Sequence, residues 1–461
     1  MNKSENFIER GTTIFTAKPF AYILSSKYRT ERCDYCLKSG KLFRCSGCQY
    51  VYYCNRSCQQ RSWPIHNKEC ANLKRISPKV IPDVARLMAR IIIKLNQGGG
   101  EEVGYYSEGS YRKFKDLMSH YTDVKKDEKK MEHFTCLCGV LFEFLGDISM
   151  PNTAELIGIY GRICINSFNI FDLDMNSFGV GIYLGPSIMD HSCKPNAVAT
   201  FEGTTIIVRT IEDLSCLDWS QASFTLYGFL TRVKCNVEIV SKHVQITISY
   251  IDVLKTTTER RTELQSSYYF WCNCKKCMEP EPVAEAAACP NKFCAYPSSP
   301  SADTCEYCNT KFPERFIETF NQVSDFTAHN LQNMKNMAYL DVSKICLQKQ
   351  EGILHPLNVQ HVQTLQAAFD SSISLQHWEE AETYAKQLVN GYLTYYGEVH
   401  PLTGILYLMT GKIQLYLERP QQALEVLKKA SAVLAITHGE QHTLVRENLK
   451  PLLYQATIEG I

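Results

Sequence analysis

Eight candidate metal ligands crowded into residues 33–70 constrain this 461-residue chain more than any other feature. They form four pairs whose members are separated by two or three intervening residues, a spacing that lets a tight turn aim both side chains at one ion. Tetrahedral zinc takes four ligands, so eight ligands make two sites. We predict that alternate pairs share an ion, the first with the third and the second with the fourth. In chain order the pairs are Cys33/Cys36, Cys45/Cys48, Cys54/Cys58 and His66/Cys70.

The segment around these ligands is short and basic. About 40 residues bury too little apolar surface to fold alone, so we expect its folding to depend on metal. From Lys27 to Arg75 there are eleven Lys and Arg residues against three acids, a balance of +8 in a chain whose net charge is +1. Residues 315–461 carry eleven basic and fourteen acidic residues, or −3. The two ends therefore favour different partners, although ordinary solvated faces explain the tail equally well.

Cysteine usage and hydropathy predict an intracellular protein. The start, MNKSENFIER, is polar, and no window approaches the ~18 apolar residues of a membrane helix. Twenty-one cysteines without a secretory signal indicate a reducing compartment, where thiols bind metals rather than form disulfides. We expect Cys136, Cys138, Cys164, Cys216, Cys235 and Cys346, which have no matching partners, to be buried small apolar side chains.

Periodicity divides the rest of the chain. Short strands are predicted within residues 12–28 and over Thr204 to Thr210, and helices from Pro82 to the glycines at 98–100, at about 110–130 and at 131–147. From about residue 315 the pattern is helical and contains a 42-residue repeat, which predicts stacked helix pairs, with plain helical packing as the alternative. The repeated residues are Ala381, Gly397, Glu398 and His400, then Ala423, Gly439, Glu440 and His442.

Three short motifs occupy the middle of the chain. Each is weak alone, because a lone tyrosine is usually a core residue and three cysteines are one short of a tetrahedral site. Two further cysteine pairs, Cys289/Cys294 and Cys305/Cys308, have the spacing of a small zinc ribbon. The motifs are Asp190-His191-Ser192-Cys193-x-Pro195-Asn196, Ser249-Tyr250-Ile251-Asp252 and Cys272-x-Cys274-x2-Cys277.

The ligand pairs, with Tyr52-Tyr53 before Cys54 and Trp63 before His66, resemble a MYND finger. With the central motifs and the helical tail, they resemble the SET and MYND domain (SMYD) family of protein-lysine methyltransferases. The resemblance implies an α+β fold, in which a zinc-bound MYND finger and a helical insert split a β-rich SET domain. A post-SET zinc site and a C-terminal all-helical, TPR-like repeat domain follow. The implied boundaries are 1–32 (N-terminal SET, truncated), 33–70 (finger), 71–150 (helical insert), 151–254 (core SET), 255–312 (post-SET and Cys-rich region) and 313–461 (helical domain).

The same resemblance assigns a methyl-transfer site that uses S-adenosylmethionine (AdoMet). It implies that Tyr250 and Tyr268 are catalytic walls of a lysine channel. It also implies three or four zinc ions, with Cys193 as fourth ligand to the ion of Cys272, Cys274 and Cys277. The implied AdoMet-contacting residues are Asn166, Asp190, His191, Tyr250 and Phe270.

The sequence departs from the family pattern in three places. The family's Gly-x-Gly turn does not precede Arg10-Gly11-Thr12. Asp190 stands where the family has asparagine, which removes the amide donors. About 22 extra residues, roughly 222–243, separate the strand ending at Thr210 from the motif of Tyr250.

The resemblance also implies partners. We expect histone tails or other lysine-containing proteins as substrates, proline-rich peptides at the finger, DNA contact through its basic face, and no membrane. We further expect a monomer in nucleus and cytoplasm. Two alternatives stay open: the finger only braces the protein, or the chain is a MYND and repeat adaptor with little or no turnover.

Overall fold

The computed structural model describes residues 7–107, 109–173, 175–215, 245–334 and 340–460. The predicted insertion at 222–243, which includes Cys235, lies outside these residues, and so does Cys216. Within them, Cα packing separates two compact units. The first contains Met1–Asp190, Asn196–Ile248 and Ser266–Phe270, and the second contains His191–Pro195, Ser249–Gln265 and Trp271–Ile461.

The strands are short and lie before residue 250. They are β1 (Phe7–Ile8), β2 (Thr13–Ala17), β3 (Ala21–Leu24), β4 (Phe43–Arg44), β5 (Tyr52–Tyr53), β6 (Gly104–Ser107), β7 (Ser110–Arg112), β8 (Ser167–Phe171), β9 (Ser177–Ile182), β10 (Asp190–His191), β11 (Ala197–Glu202), β12 (Thr205–Thr210), β13 (Leu214–Ser215) and β14 (Thr247–Ile248).

Helices account for most of the remaining regular structure. They are α1 (Arg56–Ile76), α2 (Asp83–Asn96), α3 (Tyr121–Lys126), α4 (Glu128–Leu145), α5 (Thr153–Asn166), α6 (Thr257–Tyr268), α7 (Lys275–Met278), α8 (Phe316–Met334), α9 (Leu340–Gln350), α10 (Val359–Ser374), α11 (Trp378–Tyr395), α12 (Pro401–Tyr416), α13 (Pro420–Thr437) and α14 (Lys450–Glu459). Among the described residues, none of these helices combines the length and the apolar character that a bilayer crossing requires.

Strand pairing in the first unit joins the two ends of its sequence. β2 pairs antiparallel with β12, which pairs with β11, and Phe15 lies opposite Val208. β3 pairs with β9, which also pairs with β8. Strands from before residue 25 and after residue 166 therefore complete the same sheets, and everything between them is an insertion. The mixed α+β fold with a split β-rich part is confirmed.

Helix α2 anchors the insertion to these sheets. Its apolar side chains recur every three or four residues, and Leu87, Met88, Ile91 and Ile92 are fully buried. Gly98 follows with a φ of +85°, a left-handed conformation that glycine adopts without the steric penalty of a Cβ atom. The helix predicted to end at the glycines is therefore present.

The helix predicted at about 110–130 is wrong over its first half. Residues 104–112 form the hairpin of β6 and β7, and α3 begins only at Tyr121. Gly109, with a φ of +71°, supports the tight connection between the strands. Of this hairpin, only β7 lies within the predicted helix, and its residues pair with β6 instead of forming helical turns.

The predicted 42-residue repeat appears in the second unit as two equivalent helix ends. Gly397 and Gly439 follow α11 and α13 with φ values of +91° and +90°. His400 and His442 then accept hydrogen bonds at Nδ1 from the amide nitrogens two residues later, at 3.2 Å in both cases. Ala381 and Ala423 are both completely buried. The helical domain is therefore built from repeated antiparallel pairs.

Candidate metal centres and the site around Tyr250

The finger brings its eight candidate ligands together as two groups of four. The ligand atoms of Cys33, Cys36, Cys54 and Cys58 lie within 4.8 Å of one another. The Sγ atoms of Cys36 and Cys54 are 3.7 Å apart, and those of Cys54 and Cys58 are 3.3 Å apart. Tetrahedral zinc with thiolate ligands requires about 3.8 Å between sulfur atoms, whereas a disulfide requires about 2 Å. The donor set therefore fits one zinc ion.

The second group, Cys45, Cys48, His66 and Cys70, is more deeply buried. His66 Nε2 lies 3.4 Å from Cys45 Sγ and 3.7 Å from Cys48 Sγ. On the other side of the ring, His66 Nδ1 is 3.2 Å from Glu69 Oε1. A carboxylate on the second nitrogen fixes the histidine tautomer and orientation that a metal needs. Alternate pairs thus converge in the arrangement that the spacing predicts.

Four buried charges connect the finger to helix α2. Asp34 and Glu69 of the finger face Arg86 and Arg90 of α2, and all four are less than 8% exposed. Arg86 binds Asp34 Oδ1 and Glu69 Oε1, each at 2.8 Å, and Arg90 binds Asp34 Oδ2 at 2.6 Å and Glu69 Oε1 at 2.7 Å. Burial alone would raise the pKa of both carboxyls, but the two guanidiniums outweigh it and hold each pKa below its usual range. The network is neutral and fully ionised.

Replacing Arg86 with methionine should destabilise the protein by about 3–5 kcal/mol, because it leaves a buried carboxylate without its partner. Lys79→Met is the matched control, since Lys79 forms an exposed pair with Glu143 at 3.8 Å and such pairs contribute about 0–1 kcal/mol. Denaturant unfolding measures both variants. Equal losses of stability in the two variants would contradict the buried network.

The outer face of the finger is more basic than the residue count suggests. Both of its acids, Asp34 and Glu69, are buried and paired with arginines from outside the finger. The positive side chains that remain form an exposed basic face, together with the half-exposed Trp63. The basic face consists of Lys38, Lys41, Arg44, Arg56, Arg61 and Lys68.

A third group of four cysteines lies in the second unit. Cys193 meets Cys272, Cys274 and Cys277, although it precedes them by about 80 residues. Cys193 Sγ is 4.0 Å from Cys272 Sγ and 3.5 Å from Cys277 Sγ. The fully buried Arg260 places Nη2 at 3.8 Å from Cys277 Sγ, where its charge balances anionic thiolates. These donors also fit zinc.

A fourth group is formed by Cys289, Cys294, Cys305 and Cys308. The Sγ atoms of Cys289 and Cys308 are 3.4 Å apart, and those of Cys294 and Cys305 are 3.8 Å apart. The four-residue gap of the first pair is therefore compatible with convergence on one ion. The described part of the chain thus supplies donor sets for four zinc ions, the upper end of the predicted three to four.

The remaining cysteines do not all match the prediction that they are buried. Cys346 is completely buried, but Cys138 and Cys164 are half-buried and Cys136 is exposed. Cys136 lies on the outer face of α4, whose buried stripe is formed by Phe134, Leu137 and Leu141. The prediction is therefore wrong for Cys136, because a small apolar residue also occurs on an exposed helix face.

Tyr250 and His191 both belong to the second unit, and His191 contacts the backbone and the ring of Tyr250. The Tyr250 N–H donates to His191 Nδ1 at 3.0 Å, and the two rings lie 5.2 Å apart. Burial lowers the pKa of His191 to about 4, so its ring is neutral near pH 7. A neutral ring that accepts at Nδ1 carries its proton on Nε2, which lies 3.2 Å from Cys193 Sγ. The imidazole therefore connects the third metal group to the backbone of Tyr250.

In the first unit, Tyr268 and Phe270 flank a residue that sequence reasoning missed. Tyr269 has a φ of +63°, a conformation that costs a bulky residue of order 1–3 kcal/mol. Its hydroxyl donates to Asp127 Oδ2 at 3.2 Å, and Lys130 Nζ lies 4.1 Å from its ring centre. These contacts stabilise the turn that follows α6, between Tyr268 and Phe270. Only the tertiary partners on α4 reveal this role.

Asn166 and Asp190 also belong to the first unit. The Asn166 side chain is buried, and its amide nitrogen donates to the carbonyls of Met118 at 2.8 Å and Arg162 at 2.9 Å. The exposed Asp190 accepts a hydrogen bond at Oδ2 from Gln245 Nε2 at 3.1 Å. Both side chains are therefore oriented by neighbours within their own unit.

Comparison with known proteins finds one matching family model and several similar proteins. Residues 33–70 match the MYND finger model. The chain is 27% identical to human histone-lysine N-methyltransferase SMYD3 over 95% of its own length and 90% of that protein. It is 25% identical to Arabidopsis thaliana ASHR1, a histone-lysine N-methyltransferase, over 98% and 92% of the two chains. For human N-lysine methyltransferase SMYD2 the identity is 24% over 95% and 92%.

The chain is therefore similar over nearly its whole length to proteins of the SET and MYND domain (SMYD) family. The family model covers only the first two metal groups, in residues 33–70, whereas the match to SMYD relatives extends over nearly the whole chain. The predicted SMYD site residues fall in both units, with Asn166, Asp190, Tyr268 and Phe270 in the first and His191 and Tyr250 in the second.

Proposed function

We propose that this protein is a protein-lysine N-methyltransferase that uses AdoMet and acts on histone tails or other proteins. The observation that carries the proposal is the attachment of Tyr250, through His191, to the metal group of Cys193, in a chain whose relatives are named lysine methyltransferases. The names of these relatives do not favour the adaptor alternative, because the relatives are similar to this chain over 95% and 98% of its length.

The charges of the proposed cofactor residues fit a cationic methyl donor. When bound, AdoMet supplies a methyl group on a positively charged sulfonium. Asp190 contributes a negative charge, and the neutral His191 adds no repulsion. The carbonyls that bind the Asn166 amide nitrogen leave its Oδ1 directed elsewhere, as an acceptor for an ammonium group. We assign these three residues, with Tyr250 and Phe270, to cofactor binding.

The catalytic task of the protein is to prepare the lysine. Its nucleophile is the neutral amine, so the site must remove water and hold the amine in line with the methyl group. We assign the channel walls to Tyr250 and Tyr268, whose rings exclude water and whose hydroxyl oxygens contact polarised C–H groups. Backbone attachment to His191 fixes the first of these walls before substrate arrives.

A direct assay tests the proposal. Purified full-length protein is incubated with methyl-labelled AdoMet and core histones, and label on lysine is expected in the protein fraction. Calorimetry with AdoMet alone provides an independent measurement. Absence of AdoMet binding in a protein that contains four zinc ions would reject the proposed function and favour the adaptor alternative.

His191→Ala should lower kcat about tenfold or more, because the partly buried Tyr250 N–H loses its acceptor, which costs about 1–3 kcal/mol. His191→Asn offers Oδ1 in place of Nδ1 and should recover most of the rate. Zinc content and peptide KM should stay near wild type in both variants. A rate that falls equally in both variants would contradict the positioning role.

Several narrower assignments are part of the proposal. The exposed basic face and Trp63 favour proline-rich peptides and DNA as further partners of the finger. We also propose that the protein is a monomer and that it acts in the nucleus and the cytoplasm. Sedimentation and imaging of the tagged chain test these two assignments.

A further inference from the structure

The fourth metal group defines a small unit that we call the ribbon, residues 287–312. Two bridges fold it, Ala287 with Ser298 and Thr304 with Lys311, each close to a cysteine ligand. Ala287 also pairs with Leu354, and His355 Nε2 lies 3.1 Å from the Ala295 carbonyl oxygen. The inner side of the ribbon is therefore attached to the turn that precedes α10, which leaves its metal-binding loops on the outside.

Aromatic side chains occupy these outer loops. Phe293 is fully exposed (101%) and Tyr307 is 75% exposed. Tyr296 stacks on Tyr307 with 5.9 Å between ring centres and 13° between planes, and its hydroxyl donates to Glu306 Oε2 at 2.9 Å. Phe293 gains none of the free energy that burial of a phenylalanine side chain provides, because its ring lies in solvent in the free chain. The rings are oriented toward solvent by a metal-held backbone.

The two exposed rings are carried by residues next to ligands of one metal group. Phe293 directly precedes the ligand Cys294, and Tyr307 directly precedes the ligand Cys308. The ligand atoms of those cysteines lie within 4.8 Å of each other. One metal group therefore presents both rings, and a single extended chain is long enough to contact both.

The charge of the ribbon indicates which class of partner it can bind. Lys292 and Lys311 balance Asp303 and Glu306, so the side chains outside the metal group sum to zero. Four thiolates and one Zn²⁺ then add −2. Nucleic acid, which needs positive charge on the protein, is disfavoured. Cationic side chains are attracted by the negative charge of the metal group and by the faces of the aromatic rings.

We propose that the ribbon is a docking surface for a basic, extended polypeptide segment, whose lysine or arginine side chains contact Phe293 and the Tyr296/Tyr307 pair. This surface is distinct from the residues assigned to methyl transfer and does not depend on catalysis. It gives the protein a second point of attachment to lysine-rich or arginine-rich partners.

Fluorescence anisotropy tests the proposal with the full-length protein and a labelled (Arg-Ser-Gly)4 peptide at 150 mM salt. The Phe293→Ala/Tyr307→Ala variant should bind about tenfold more weakly, because each cation–π contact at an exposed site changes affinity about two- to fivefold. Tyr416→Ala/Tyr454→Ala is the matched control, since these tyrosines are 68% and 71% exposed on helices without a metal group. The control should bind as wild type does.

Equal affinity in wild type and the ribbon variant would overturn the proposal, as would comparable binding of (Glu-Ser-Gly)4 or of a U12 RNA. Zinc analysis at four ions per chain verifies that the ribbon variant is folded. Its methylation rate on a short lysine peptide should be unchanged. A protein that binds the basic peptide but transfers no methyl group would refute the proposed enzyme and leave the docking surface intact.

Discussion

Replacing Cys45 with serine should lower the zinc content below four ions and unfold the finger at 25 °C. Cys45 and His66 belong to the same group of four, so serine leaves three strong ligands around a deeply buried site. A structural zinc site in a finger contributes about 10–16 kcal/mol, whereas a whole domain is stable by only about 5–15 kcal/mol. Loss of one site therefore exceeds what the surrounding apolar contacts can supply.

Elemental analysis and limited proteolysis measure this outcome. The matched control is Cys136→Ser, because Cys136 is an exposed cysteine outside the four metal groups. The control should retain four zinc ions and resist protease as wild type does. Four ions and an intact finger in Cys45→Ser would contradict the assigned donor set.

Replacing Tyr250 with phenylalanine should reduce methyl transfer at least about 100-fold, the usual effect of removing one preorganised polar group from a reaction centre. The change leaves the rest of the local structure in place. The contact with His191 is made by the Tyr250 N–H and by the ring face, and phenylalanine keeps both. The hydroxyl alone is removed, so the loss of rate reports its role directly.

Steady-state kinetics and AdoMet calorimetry separate the possible outcomes. AdoMet affinity should change much less than the rate, since Tyr250 is one of five proposed contacts. The other four, Asn166, Asp190, His191 and Phe270, are untouched. Tyr454→Phe, on an exposed face of α14, serves as the control and should show wild-type kinetics. A Tyr250→Phe enzyme with more than half of the wild-type rate would exclude a catalytic hydroxyl.

Local spacing made the metal centres the most predictable part of the molecule. Pairs such as Cys45/Cys48 are set by two or three intervening residues, and the number of tetrahedral ligands then restricts how pairs combine. The helix of residues 83–96 was equally accessible, because its buried face repeats within a single element. In both cases the controlling contacts are close in sequence.

Long-range polar contacts were not predictable in this way. Asp34 and Arg86 lie 52 residues apart, and neither belongs to a pattern that distinguishes it from a surface charge. Tyr269 looked like one more aromatic between two proposed site residues until its partners on α4 were known. The helix predicted at 110–130 failed over its first half because Ser110–Arg112 pairs with a strand that begins at Gly104, outside the predicted segment.

The paired carboxylates and guanidiniums also determine how much flanking sequence a recombinant fragment of the finger must include. A recombinant fragment that ends at Cys70 would carry Asp34 and Glu69 but leave both counterions behind in the parent protein. Glu69 would then lose the groups that keep it ionised beside His66. The smallest portable version of this finger therefore extends through Arg90, and grafting experiments should choose their boundaries accordingly.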